Sequence, residues 1–131
     1  MDNPRVLLIE DDCAVAEMYR LRLELGGCRV LVAGDGEEGL REALDHPPDL
    51  ICLDVRLPRM DGLEVLEQLR AHASTRPVPV VVLTCYNDPE VIRRARELGA
   101  VDHLVKADIS PSSLTSRIRE WLTATPQPLP A

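Results

Sequence analysis

Five short apolar runs punctuate the chain. Each is followed by a stretch whose apolar positions recur every three or four residues. The runs at Arg5–Ile9, Arg29–Ala33, residues 50–53 (Leu-Ile-Cys-Leu), residues 80–83 (Val-Val-Val-Leu) and about Asp102–Val105 predict strands. Between them lie helical patterns. The first runs from an Asp12 N-cap to Leu25 and stops at Gly26-Gly27. The second runs from about Glu37 to Asp45, with Leu40, Ala43 and Leu44 as its buried stripe. The third follows Asp61-Gly62 and reaches about His72, with Leu63, Leu66 and Leu69 inward. The fourth opens with Asp88 as cap and Pro89 in the first turn, carries Val91, Ile92, Ala95 and Leu98, and stops at Gly99. The last opens at Ser110-Pro111 and aligns Leu114, Ile118, Trp121 and Leu122 on one face.

Strand and helix therefore alternate five times, and the strands are almost free of polar residues. Such strands are buried on both faces, as in a parallel sheet covered by helices. Right-handed crossovers then favour an α/β fold with a doubly wound, five-stranded parallel sheet.

Composition narrows the function classes. At 131 residues, 45% hydrophobic and 28% charged, the chain has the size of one globular domain with one good core. Phe is absent and only one Trp and two Tyr occur, so the core is aliphatic and base-stacking platforms for single-stranded nucleic acid are missing. A net charge of −7 disfavours nucleic acid and anionic membranes. Met1-Asp2-Asn3-Pro4 does not resemble a signal peptide and no apolar run has membrane-spanning length, which predicts a cytoplasmic location. Cys13, Cys28, Cys52 and Cys85 have no metal-site spacing and are expected as buried, reduced thiols. The domain is expected to occupy residues 1–123. The proline-rich residues 124–131 are either a frayed end or the start of a linker.

The candidate chemistry lies where the strands end. Glu10, Asp11 and Asp12 follow the first strand, Asp54 closes the third, Thr84 the fourth, and Lys106 the fifth. In a parallel sheet these ends share one edge, where ligands of open α/β sheets bind. Clustered carboxylates suit Mg²⁺, a hard cation that takes oxygen ligands. Asp54 can attack a phosphoryl group to form an aspartyl phosphate, with Lys106 and the Thr84 hydroxyl on the phosphoryl oxygens. A structural alternative stays open for each acid: Asp54 as a turn cap, the others as a solvated helix N-terminus favoured by its dipole.

These residues carry a resemblance. Leu-Ile-Glu-Asp-Asp, Asp-Leu-Ile-Cys-Leu-Asp with Leu-Pro-Arg-Met-Asp-Gly, Val-Val-Val-Leu-Thr, Leu-Gly-Ala and the late Lys106 together resemble the receiver domain of bacterial two-component response regulators, including the single-domain chemotaxis type. The match covers roughly residues 5 to 123. The resemblance implies a flavodoxin-like fold with strand order 2-1-3-4-5. It implies Asp54 as phosphoacceptor, with Thr84 and Lys106 holding the phosphoryl oxygens. Mg²⁺ would be held by Asp11 directly, Glu10 largely through water, Asp54, and the backbone carbonyl of Arg56. Asp12 would then be only the helix cap. The implied partners are a histidine kinase or phosphotransfer protein, an unknown output protein bound through the face of the fourth helix, fifth strand and fifth helix, and a second copy in a possible homodimer.

The chain departs from the pattern in places. Ala107 follows Lys106 where the family usually has proline through a cis bond. A cis bond before a non-proline residue costs about 2.5–4 kcal/mol, so a trans bond is expected. His103 stands where the family carries an aromatic that swings inward as Thr84 moves toward the phosphoryl group; it reads either as a surface strand residue or as a neutral, inward-facing imidazole. Arg56 and Tyr86 lie two residues beyond Asp54 and Thr84, where they are expected to slow self-hydrolysis or to point into solvent. Cys13 and Cys85 near the active edge are expected to pack as small hydrophobes. Arg93, Arg94, Arg96, Arg117 and Arg119 form either a docking face or a solvated one.

Two other functions compete. One is a degenerate receiver used as a phosphorylation-independent binding module. The other is a metal-dependent phosphatase with an aspartyl nucleophile, disfavoured because Arg56 stands where such enzymes place a second Asp. The expectation is a phosphoacceptor without dedicated substrate turnover, either complete in itself or led by its tail into another domain.

Overall fold

The computed structural model describes residues 3–85, 87–106 and 111–124, the side chains of residues 111–113 and 115 excepted. The strands are β1 (Arg5–Ile9), β2 (Arg29–Ala33), β3 (Leu50–Asp54), β4 (Val80–Thr84) and β5 (Asp102–Val105). They alternate with α1 (Cys13–Leu25), α2 (Gly36–Asp45), α3 (Gly62–Ala71), α4 (Pro89–Glu97) and α5 (Pro111–Thr123). Among the described residues, all strand pairs are parallel and the sheet runs β2-β1-β3-β4-β5, the expected order.

Alternate strand residues point to opposite faces, and each face has its own aliphatic layer. Val6, Leu8, Leu50, Cys52, Val81 and Leu83 meet Ala16, Tyr19 and Leu23 of α1 and Leu114, Ile118 and Trp121 of α5. Leu7, Ile9, Ile51, Leu53, Val80 and Val82 meet Ala43 of α2, Val65, Leu66 and Leu69 of α3, and Ala95 of α4. Each Leu, Ile or Val among them, once removed from water, contributes about 1.5–3 kcal/mol.

Burial on both faces holds for the three central strands and fails at the edges. β2 is half-exposed, with Leu31 at 49% exposure, and β5 is fully buried only at Leu104. An edge strand has a neighbour on one side only, so its cover thins. The stripe of α2 also differs from the expected one. Gly36, Gly39 and Ala43 are its buried positions, whereas Leu40 and Leu44 are only half-buried. A Cβ on Gly39 would stand 2.5 Å from Ile9 Cδ1, so α2 lies too close to β1 for larger residues there. α3 buries Val65, which the pattern missed, more fully than Leu63.

Helix starts follow side-chain caps. Asp12 Oδ1 accepts from Ala14 N (2.9 Å) and Val15 N (3.1 Å), and Asp88 Oδ1 from Glu90 N (3.0 Å). Asp35 caps α2 through Glu38 N at 2.8 Å, starting that helix one residue before the expected Glu37. Gly27 and Gly99, just past α1 and α4, adopt φ of 93° and 94°. Ser110 and the tail from residue 125 onward, named in the sequence reading, lie outside the described residues.

The turn after β3 is tightly packed. Gly62 N donates to Val55 O at 2.9 Å, and a Cβ on Gly62 would meet Asp54 O at 2.1 Å and Val55 Cα at 2.7 Å. Both clashes are with backbone, which yields only if Asp54 itself shifts. Gly62→Ala is expected to cost about 1–3 kcal/mol or more, as overpacking does, read as a lowered urea midpoint.

Candidate functional site

The strand ends deliver four charged groups to one place. Glu10 directly follows β1, and its main-chain N–H continues the ladder to Ala33 O at 3.0 Å. Its side chain is buried, as is that of Asp54, the last residue of β3. Lys106 follows β5 and reaches across the sheet edge, donating from Nζ to Glu10 Oε1 at 2.5 Å and to Asp54 Oδ2 at 3.0 Å. The other oxygens are held by backbone: Asp12 N donates to Glu10 Oε2 (3.2 Å) and Arg56 N to Asp54 Oδ1 (3.1 Å). Asp11 is exposed at the rim, and one oxygen from each of Glu10, Asp11 and Asp54 lies within 4.8 Å of the others.

Thr84 closes β4 and is buried. With Asp54, Val55, Arg56, Cys85, Asp88 and Val91 it walls a shallow cleft over the acid. Its hydroxyl donates to Leu104 O at 3.4 Å, toward β5 and not toward the carboxylates. Asp12 is the cap of α1, its structural alternative. Arg56 contributes its N–H to Asp54 while its side chain is exposed on the cleft wall. Cleft-lining roles for Asp88 and Val91 were not read from the sequence; their place in the first turn after Thr84 was the available signal.

The electrostatics are unbalanced. Burial, then contact with Asp54, raises the Glu10 carboxyl above its ordinary range, against the lowering pull of Lys106 and the Asp12 N–H. For Lys106, burial works against the charged form, but the bonds to Glu10 and Asp54 prevail and hold the amine above its usual value. One ammonium thus serves two buried carboxylates, and Asp11 adds a third negative group. A hard cation would relieve the excess. The donor set fits Mg²⁺: three carboxylates, no sulfur or imidazole in the cluster, and an exposed rim where the ion can keep waters.

Other residues singled out in the sequence lie nearby. All four cysteines are free, but only Cys28 and Cys52 are buried; Cys13 and Cys85 are exposed, correcting the reading of all four as buried. Both exposed thiols sit at the open sheet edge, Cys13 at the start of α1 just after the acids and Cys85 in the loop after Thr84. Burial raises both core thiols, that of Cys52 to about 12. His103 is half-buried, in register with Val82, and its Nδ1 is enclosed with no partner among the described residues. Of the five arginines, Arg93 pairs with Glu90 and Glu97, while Arg117 bonds Asp102 and lies 5.4 Å over Trp121. Tyr86 and Ala107, and with Ala107 the bond after Lys106, lie outside the described residues.

A pH signature follows. A raised Glu10 carboxyl holds its proton more tightly in the folded state. Its contribution to stability is therefore greatest below the unfolded value and is lost as pH rises through the folded one. Ionised Glu10 burdens the ion-free fold at neutral pH. In chelator at pH 8, Glu10→Gln is expected to raise the urea midpoint, with the gain shrinking toward pH 4. Added Mg²⁺ is expected to stabilise the wild type and to stabilise this variant much less.

No helix among the described residues is long and apolar enough to cross a membrane. The sequence pattern of the response regulator receiver domain matches residues 6–119. The chain is 36% identical over 120 residues to the alkaline phosphatase synthesis transcriptional regulatory protein PhoP of Bacillus subtilis, covering 92% of this chain and 49% of that protein. It spans about half the length of the curated relatives it matches. Among solved structures, the Vibrio cholerae chemotaxis protein CheY4 superposes with a TM-score of 0.83 at 28% identity, over 91% of this chain and 98% of that one. The receiver domain of the Pseudomonas aeruginosa sensor histidine kinase PA1611, solved with magnesium in its active-site cleft, gives 0.85 at 27% identity, over 93% and 99%. With a matching family pattern across its sheet and helices, the chain belongs to the response regulator receiver domains of two-component systems.

Proposed function

We propose that Asp54 accepts a phosphoryl group from the phosphohistidine of a histidine kinase or phosphotransfer protein, and that this switches partner binding. The observation that supports it best is the setting of the Asp54 carboxylate. It is buried, with one oxygen on the Arg56 N–H and the other on Lys106, facing a cleft walled by Thr84. A carboxylate oxygen attacks phosphorus, the P–N bond breaks, and the imidazole leaves with the bonding pair. Lys106 stays cationic and follows the charge onto the phosphoryl oxygens. The Thr84 hydroxyl exchanges the Leu104 carbonyl for a phosphoryl oxygen, which carries the change to β5. Glu10, Asp11, Asp54 and the Arg56 carbonyl would hold Mg²⁺, which neutralises phosphoryl charge when bound.

In this reading residues 1–123 form the receiver, with 124–131 as tail or linker, working in the cytoplasm without dedicated substrate turnover. The output partner binds the α4–β5–α5 face, and a homodimer through it is one form such an output can take.

Incubation of the chain with a small phosphodonor and Mg²⁺, followed by intact mass measurement, is expected to show one added phosphoryl group. The gain should vanish in Asp54→Asn and on chelation. No gain in the wild type would select the phosphorylation-independent binding module instead. Arg56 stands exposed on the cleft wall, where in this reading it would obstruct an attacking water, with Tyr86 as the second such residue. Arg56→Ala is expected to speed loss of the phosphoryl group several-fold; an unchanged rate would refute the obstruction.

A further inference from the structure

At the opposite edge of the sheet from Asp54, a cleft of about 250 Å³ opens between the starts of β1 and β2 and the end of α2. Arg5, Arg29, Leu31, Glu42, His46 and Pro48 line it. Arg5 and Arg29 are register partners on adjacent parallel strands. Their side chains leave the same face about 4.8 Å apart at the backbone. Like charges so placed destabilise a sheet. No ion pair offsets them: among the described residues neither guanidinium has a carboxylate in ion-pair contact. Asp49 spends its carboxylate on the Arg5 backbone N–H at 2.8 Å. The one side-chain bond either arginine makes is a long one, Arg5 Nη2 to His46 O at 3.4 Å. Two guanidinia without an ion-pair partner among the described residues thus flank one cleft in a chain whose net charge is −7.

The cleft also has an apolar wall. Leu31 follows Arg29 by two residues on the same strand face and is 49% exposed; Pro48 closes the floor. We propose that this cleft binds a small organic phosphate, its phosphoryl group between Arg5 and Arg29 and its apolar body against Leu31 and Pro48. Paired guanidinia match phosphoryl oxygens in bidentate geometry. A phosphoryl group has more terminal oxygens to offer two such forks than a carboxylate has. At about 250 Å³ the cleft falls below the usual range of ligand pockets, about 300 to 1,000 Å³, so it seats the phosphoryl group and one adjoining ring of a mononucleotide or aryl phosphate and leaves any remainder in solvent. Glu42 on its wall opposes the anion and tunes the affinity down.

The test is titration of the full chain with adenosine 5′-monophosphate and with phenyl phosphate, in chelator so that the acidic edge binds no phosphate through a metal. Backbone amide NMR reads the site and calorimetry the affinity. Saturable binding is expected, with shifts at residues 5, 29, 31, 42 and 46. Losing one charge-assisted contact in Arg29→Gln should weaken it about tenfold or more, while Glu42→Gln should tighten it. Both residues are on the surface, and unchanged Asp54 phosphorylation would show that the variants are folded. The proposal is overturned by absence of saturation below about 10 mM, by an affinity that Arg29→Gln leaves unchanged, or by shifts confined to the Glu10–Asp54–Lys106 edge. Inorganic phosphate or benzoate binding as tightly as phenyl phosphate would equally overturn it.

Discussion

One ammonium, that of Lys106, is divided between two buried carboxylates from the first and third strands. It is separated from Glu10 by 96 residues and from Asp54 by 52, so it closes the sheet edge across β1, β3 and β5 at once. Buried charges are costly unless paired and hydrogen-bonded, and here the pairing is incomplete by design of the sequence: two acids, one base. The aliphatic layers on both faces of the sheet supply the stability that lets such a site exist. Its remaining negative charge favours a hard cation that takes oxygen ligands.

The loop after Asp54 is fixed with corresponding care. Asp61 caps α3 through Leu63 N at 3.0 Å, and the Gly62 backbone passes against Asp54 and Val55 with no room for a side chain. Arg59 adopts φ of 70°, a conformation non-glycine residues rarely take, and its guanidinium approaches Asp35 at 3.5 Å. Gly36, one residue on, lets the start of α2 close against Met60. The loop after Asp54 is thereby braced by two helix starts.

Much of this was legible in the chain. Strand positions were, because a buried parallel strand is a nearly unbroken aliphatic run and each of the five is followed by a turn or capping signal. The site residues were, because a parallel sheet places all strand ends on one edge, so Glu10, Asp54 and Lys106 had to meet there. What could not be read depends on distances between elements. Leu44 looked inward by periodicity, but α2 approaches β1 over Gly36 and Gly39, turning its contact face toward the glycines. Cys85 and Cys13 looked like core residues by type, yet Cys85 falls in the loop after β4 and Cys13 opens α1 at the same sheet edge, and both are exposed there. The direction of the Thr84 hydroxyl is a rotamer choice, and residue order says nothing about it.

That rotamer ties the site to β5. Thr84 is bonded to Leu104 of β5, so any rotation of its hydroxyl toward Asp54 breaks a contact with that strand. The two helices beside β5 are held very differently. α5 is anchored by Leu114, Ile118 and Trp121, and by Asp102, which accepts from both Arg117 and the Trp121 indole. α4 buries only Ala95. Its far end is tied down, since Arg70 Nη2 donates to Gly99 O at 3.1 Å while Nη1 holds the carbonyls of Arg76 and Val78 at 2.8 and 3.0 Å. Its near end, Asp88 and Val91, borders the cleft over Asp54. Elements with few buried contacts open at the lowest cost. A change at Thr84 would therefore meet least resistance in the first turn of α4, while the Arg70–Gly99 contact holds the chain at its far end.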